Sequence, residues 1–292
     1  MTSINEKALD SILKYFGKQA RNELYHYTTI SALHGMLKNK EFWWGNTSTM
    51  NDEAELLDYI ERLEKALESE TFGGNQYYRY SSTFKKVRQR LSSEYPFAMS
   101  LSEQYDDAAQ WERYADNAQG VCISMNTRQL CLLFCKHPFF IDKVYYTYDI
   151  KKNEHYKLLV DYIQTGKVDG GFRSVDSLID NILASASRYK HHSFISEGEY
   201  RITSMGGIDQ NLYKNEYFNI THELQKGQIK RVLKIRFDKL CEYEGIEYQS
   251  LFNRITIGPR SKQSSHDLIS FCQETGFEDL ANNVIKSKCP LR

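Results

Sequence analysis

Residues 24–46 read LYHYTTISALHGMLKNKEFWWGN, and the fold class turns on them. Leu24-Tyr25-His26-Tyr27 is a strand-like run. Thr28 or Thr29 caps a helix that carries Ile30, Leu33, Met36 and Leu37 on one side. Phe42-Trp43-Trp44 is a second short strand, stopped by Gly45-Asn46. The strand–helix–strand order does not settle into a regular βαβ rhythm downstream. That irregularity favours an α+β fold over a doubly wound sheet.

Working outward, residues 4–20 predict an amphipathic helix, with Ile4, Leu9, Ile12, Leu13 and Phe16 on one side, inside an N-terminal segment 1–22. Ser48–Asp52 is a polar turn before a helix that runs to about residue 68. Thr71 to Tyr80 reads as a break, and Phe84 to Leu91 as a basic helix. Pro96–Ser102 alternates like a strand. Gln110–Tyr114 is a helical turn, and Gly120–Met125 and Val144–Tyr146 are strands. Residues 150–192 are mostly helical. About 145–195 is expected to be an insertion or covering layer inside a single domain spanning 1–292. Further strands are expected at 199–203, 231–237 and 254–258, and a late helix at 264–275.

Composition narrows the class. Basic and acidic residues balance at 38 each, so no global field draws nucleic acid or membrane. Hydrophobic residues make up 41% of the chain, which argues against disorder. No run approaches the ~20 apolar residues of a membrane span. The N-terminal stretch lacks an apolar secretory core. The six cysteines are scattered, which fits reduced thiols in the cytoplasm. The 21 tyrosines suit half-buried strands and wet clefts.

Several groups carry chemistry. His26 can hydrogen-bond a ligand as a neutral imidazole, or can be a satisfied half-buried histidine. Ser100 and Ser102, two apart on a strand, share a face. They can orient a ligand or bond nearby backbone. Gln110 and Tyr114 share a helical face. Trp111 and Tyr114 can be core or a stacking platform. If 197–201 is extended, Glu197, Glu199 and Arg201 point one way. That cluster can serve a developing cation or be a surface ladder. Cys131, Cys135 and His137 lack a local fourth ligand, so ordinary helix packing is favoured over a metal site. Asp52, Glu55, Glu197 and Glu199 can be combined into a Mg²⁺ nuclease site.

Taken together, several blocks resemble an uncharacterised bacterial domain family. They are Leu24-Tyr25-His26-Tyr27-Thr28, Met50-Asn51-Asp52, Ser100-Leu101-Ser102-Glu103, Gln110-Trp111-Glu112-Arg113-Tyr114 with Gly120-Val121-Cys122, Glu197-Gly198-Glu199-Tyr200-Arg201, and Ile255-Thr256-Ile257-Gly258-Pro259. That family distantly resembles the ADP-ribosyltransferases. The resemblance implies split mixed or antiparallel sheets with surrounding helices. It implies NAD as substrate, without a metal, and catalytic Glu199, Glu197 and His26. His26, Tyr27, Thr28, Asn51, Ser100, Ser102, Trp111, Tyr114 and Arg201 are the implied binding residues. Tyr114 rivals Ser100 and Ser102 for the middle motif position. The Ser-x-Ser form usually accompanies an arginine at the first position, where this chain has His26. The implied activity is transfer of ADP-ribose to a protein or nucleic acid, as in a toxin or phage-defence effector with an antitoxin or regulatory partner. The alternatives are a non-catalytic nucleotide-sensing or partner-binding module and an NAD glycohydrolase.

Overall fold

The computed structural model describes residues 22–47, 53–93, 96–137, 139–146, 149–168, 171, 173–204, 215–225 and 227–291. The expected helix at 4–20, Asn51 and Asp52 lie outside the described residues, as does the side chain of Glu55.

The elements run β1 (Glu23–Thr28), α1 (Ile30–Asn39), β2 (Glu41–Asn46), α2 (Glu53–Glu68), α3 (Gly74–Ser93), β3 (Phe97–Ser102), α4 (Ala108–Tyr114), β4 (Val121–Asn126), α5 (Thr127–Phe134) and β5 (Phe139–Lys143). They continue as β6 (Tyr145–Tyr146), α6 (Glu154–Thr165), α7 (Val175–Ala186), β7 (Tyr189–Lys190), β8 (Glu199–Ser204), β9 (Phe218–Gln225), β10 (Gln228–Arg236), α8 (Phe237–Glu244), β11 (Phe252–Ile257), α9 (Ser265–Glu274), α10 (Glu278–Ala281) and β12 (Val284–Lys286). A 3₁₀ turn, His192–Glu197, leads into β8.

The fold is α+β. One mixed sheet has the order β12-β11-β4-β1-β3-β2-β10-β9, with β8 on β3 and β5 on β8. Only the β11–β12 pair of this sheet is parallel among the described strands. β8 pairs with β3 along Ala98–Ser102 and so occupies one edge of it. β1 and β2 must therefore share the other edge. β1 pairs there at Tyr25↔Ser102, and β2 at Gly45↔Ala98 and Asn46↔Phe97. The Met99–Leu101 stretch has no strand partner on that edge, and the sheet opens.

Side-chain chemistry sets the layers. The Thr29 hydroxyl accepts from the Ala32 N–H and caps α1, choosing between the two expected threonines. Leu33, Met36 and Leu37 then face the sheet. With α5, α8 and α9 they enclose Leu24, Trp44, Ile123, Leu233, Ile235 and Ile255 in the main core. Each such aliphatic side chain stabilises the fold by about 1.5–3 kcal/mol through burial. A second core joins α2 and α3 to α6 and α7 through Leu63, Phe84, Leu159, Ile163, Ile179 and Ile182. The helices of 150–192 thus pack on the earlier pair.

Three sequence expectations need correction. The break at 71–80 is too long, because α3 starts at Gly74. Tyr80, Phe84, Val87 and Leu91 recur at helical spacing and are all buried. Val144–Tyr146 is only the two-residue strand β6, paired with β7. Residues 197–201 are not continuously extended: Glu197 ends a 3₁₀ turn and Gly198 has φ +50°. A side chain at 198 would also strike Glu103 Cγ at 2.6 Å, so glycine is required twice over.

The six cysteines are all free, and Cys122, Cys131, Cys241 and Cys272 are buried. Among the described residues no helix is long and apolar enough to cross a membrane.

Candidate functional site

A cleft of about 660 Å³ lies where β1 and β2 part. β1 supplies His26 to it, β3 supplies Ser100 and Ser102, and α4 supplies Gln110, Arg113 and Tyr114. Lys190 comes from β7, Glu197 from the 3₁₀ turn and Glu199 from the start of β8.

His26 Nδ1 lies 3.0 Å from the Ser100 carbonyl oxygen. A carbonyl only accepts, so Nδ1 carries the proton. The imidazole stitches β1 to β3 just where the backbone ladder stops. Burial pushes its pKa below the ordinary value and outweighs the Ser100 hydrogen bond. At neutral pH the ring is uncharged, and Nε2 keeps a lone pair for a ligand hydroxyl.

Glu199 is 6% exposed. Arg201 Nε donates to its Oε1 at 2.7 Å, and Arg201 Nη2 to its Oε2 at 3.2 Å. Lys190 Nζ donates to Oε2 at 3.1 Å. Burial alone would raise the carboxyl pKa. The charges of Arg201 and Lys190, with these hydrogen bonds, overcome burial and hold it at about 2. Glu199 is an anion at neutral pH.

Glu197 is tied differently. Arg113 Nη1 donates to Oε1 at 2.8 Å and the Tyr114 hydroxyl at 2.9 Å. Lys190 Nζ donates to Oε2 at 2.7 Å. Lys190 thus bridges the two carboxylates, and α4 is pinned to the 3₁₀ turn. Gln110 Nε2 adds a bond to the Glu197 carbonyl at 3.3 Å. Burial and the Glu197 carboxylate both raise the Tyr114 pKa, against the pull of Lys190, so the phenol stays protonated.

The serine pair does share a face, but the two hydroxyls differ in use. Ser102 Oγ donates to the Glu197 carbonyl at 2.7 Å and accepts from the Gln104 N–H at 3.0 Å. It braces the turn. Ser100 lines the cleft.

Other residues expected at the site fall elsewhere. Trp111 is fully buried behind the cleft, bonded to Asp106 Oδ1 at 2.8 Å and edge-on to Tyr27 at 5.0 Å. It supports Tyr27 and does not line the cavity. Tyr27 lines it, while its hydroxyl bonds the 104–107 loop. Thr28 pairs with Val121 at the end of β1, away from the cavity wall. Arg201, 1% exposed, spends its guanidinium on Glu199 and the Ser187 carbonyl. It reaches a ligand only through Glu199.

Cys131 is buried in the main core, and His137 Nε2 pairs with Glu244 Oε1 at 3.1 Å. Among the described residues no group of three or more His, Cys, Asp or Glu side chains is arranged to hold a metal ion. Lys190 is the residue that sequence reasoning missed. It stands in a short strand inside a polar helical stretch, where a lysine ordinarily reads as solvated.

The ion-pair cluster makes stability depend on acid. The folded pKa of Glu199 lies below its ordinary 4.5. Its contribution is therefore complete above about 4.5 and is lost as pH falls toward about 2. The shift is worth about 3 kcal/mol. Urea midpoints at pH 5.5 and 3 should fall steeply for wild type and more shallowly for Glu199→Gln. Equal slopes would show that Glu199 does not titrate in this way.

No curated protein and no solved structure matches the chain. Residues 110–202, which run from α4 into β8 and carry Tyr114, Lys190, Glu197 and Glu199, match the model of a family described as Protein of unknown function (DUF2971).

Proposed function

We propose that the cleft binds NAD and that the chain is an ADP-ribosyltransferase acting on a macromolecule. The observation that carries this reading is the convergence of His26, Ser100 and Glu199 on one cavity at the sheet opening. These are the positions that the family resemblance singles out. The split edge of β3 also suits an ADP-ribosyltransferase-like sheet.

The chemistry follows from charge. The bond from ribose C1′ to the nicotinamide nitrogen breaks, and nicotinamide leaves with the electron pair. Positive charge then develops on the ribose. Glu199, ionised at every working pH, stabilises that charge. His26 Nε2 accepts a hydrogen bond from a ribose hydroxyl. An acceptor nucleophile forms the new bond to C1′ and gives up its proton. Tyr114, 40% exposed at the wall, offers a ring for stacking.

A second reading has its own observation. Arg201 and Lys190 already hold Glu199 through three hydrogen bonds, which suits a binding module whose carboxylate is structural. Labelled NAD with cell lysate separates the readings. Label on a macromolecule supports the transferase, and sensitivity to protease or nuclease names the acceptor class. Nicotinamide release without transfer points to a glycohydrolase. Nucleotide binding without turnover points to the sensing module. Neither binding nor turnover removes the nucleotide reading.

A further inference from the structure

A carboxylate offers about four lone-pair directions. On Glu199 three are taken, one on Oε1 by Arg201 Nε and two on Oε2 by Arg201 Nη2 and Lys190 Nζ. A ligand hydroxyl can reach Oε2 only if one of its two donors leaves.

The two donor residues differ in freedom. Arg201 is 1% exposed and also holds the Ser187 carbonyl at 2.7 Å. Its departure would bury an unpaired guanidinium. Lys190 lines the cleft and already has a shorter bond to Glu197 Oε2, 2.7 Å against 3.1 Å. Its ammonium also sits 5.1 Å from the Phe194 ring centroid. Leaving Glu199 therefore costs Lys190 neither its counter-ion nor its aromatic contact.

We propose that Lys190 is a yielding donor: a ribosyl ligand's hydroxyl takes its place on Glu199 Oε2 while the ammonium stays on Glu197 Oε2. This rests on the nucleotide reading above and gives Glu197 a definite part. Glu197 is the berth that keeps Lys190 paired during the exchange, and its bonds to Arg113 and Tyr114 hold that berth still.

The test uses ADP-ribose as the probe, with the full chain as wild type, Lys190→Met, Lys190→Gln and Lys190→Arg. Binding is read by calorimetry. The Glu199 carboxyl is followed by ¹³C NMR without ligand, assigned through Glu199→Gln. Both neutral variants should bind ADP-ribose about tenfold more tightly, because no charge-assisted bond has to be displaced. Their Glu199 carboxyl should be measurably protonated at pH 3.5, where wild type stays ionised. Lys190→Arg should restore wild-type ionisation and affinity. A structural lysine alone predicts weaker binding in the neutral variants, and that result overturns the proposal. So does an unchanged Glu199 midpoint, which would place Lys190 off the carboxylate. If no protein binds ADP-ribose, the nucleotide reading fails and the displacement step falls with it. The midpoint shift still reports separately on the hold of Lys190 over Glu199. Using both neutral variants guards against one of them failing to fold.

Discussion

Glu199→Gln is expected to lower nicotinamide release by about 10²–10³-fold at saturating NAD. The amide keeps the size and planarity of the carboxylate but not its charge. Its NH₂ would also face donors: Arg201 Nε and Nη2 and Lys190 Nζ all point at this group. The loss should fall on the chemical step, since in the proposed reaction the charge that Glu199 answers appears only as the glycosidic bond opens. Single-turnover rates separate this from slower binding. A loss smaller than about tenfold would assign the cation-stabilising role to another group and favour the sensing module.

The second large effect concerns stability. Arg201→Met should destabilise the fold by about 3–5 kcal/mol, because it leaves a buried anion with fewer partners. Arg201 contributes two bonds to Glu199 and one to the Ser187 carbonyl, all out of water. The Ser187 carbonyl would lose that donor too. Thermal melting should fall by about 10 °C in a chain of this length. Arg113→Met is the contrast. Its guanidinium also pairs with a buried glutamate, but the side chain is 49% exposed. Solvent screens that pair, and its removal should cost about 1 kcal/mol or less. Melting curves of the two variants, taken side by side, decide the point. A similar small loss in both would mean that Arg201 is not the buried keystone of β8.

The parts legible in the sequence were those where one face of an element is buried. The runs that became β1, β3, β4, β8, β10 and β11 alternate or are continuously apolar, and such patterns survive without tertiary context. β9 did not stand out. Its sequence FNITHELQ is mostly half-exposed, and its partner β10 supplies the order. β5 was hidden because FFIDK sits directly after a helix and a turn, with no alternation long enough to count.

At the site, His26, Ser100, Ser102, Tyr114, Glu197 and Glu199 were visible as residue types at suggestive spacings. Their division of labour was not. Nothing in GEY or SLS says that Ser102 braces a backbone carbonyl while Ser100 lines the cleft. Trp111 was offered as a stacking ring, yet the loop through Asp106 folds over its indole N–H. Asp106 sits at φ +53°, a conformation that local sequence rarely announces. Lys190 and Glu197 are only seven residues apart, but the 3₁₀ turn between them had no readable signal. The buried lysine becomes apparent only when two glutamates are seen to face it.

The opening in β3 has a consequence for how the chain comes into being. Each wall of the cleft is written far from the others: Tyr27 meets the Gln104 carbonyl across 77 positions, and Tyr114 meets Glu197 across 83. Contacts at such separations are closed late, after the entropy of long loops has been overcome. A nascent chain that has emerged only as far as β5 holds His26 and both serines but no Lys190, Glu197 or Glu199. Its cleft is unfinished. The cleft is therefore completed only when β7 and β8 have been made and β8 has docked against β3.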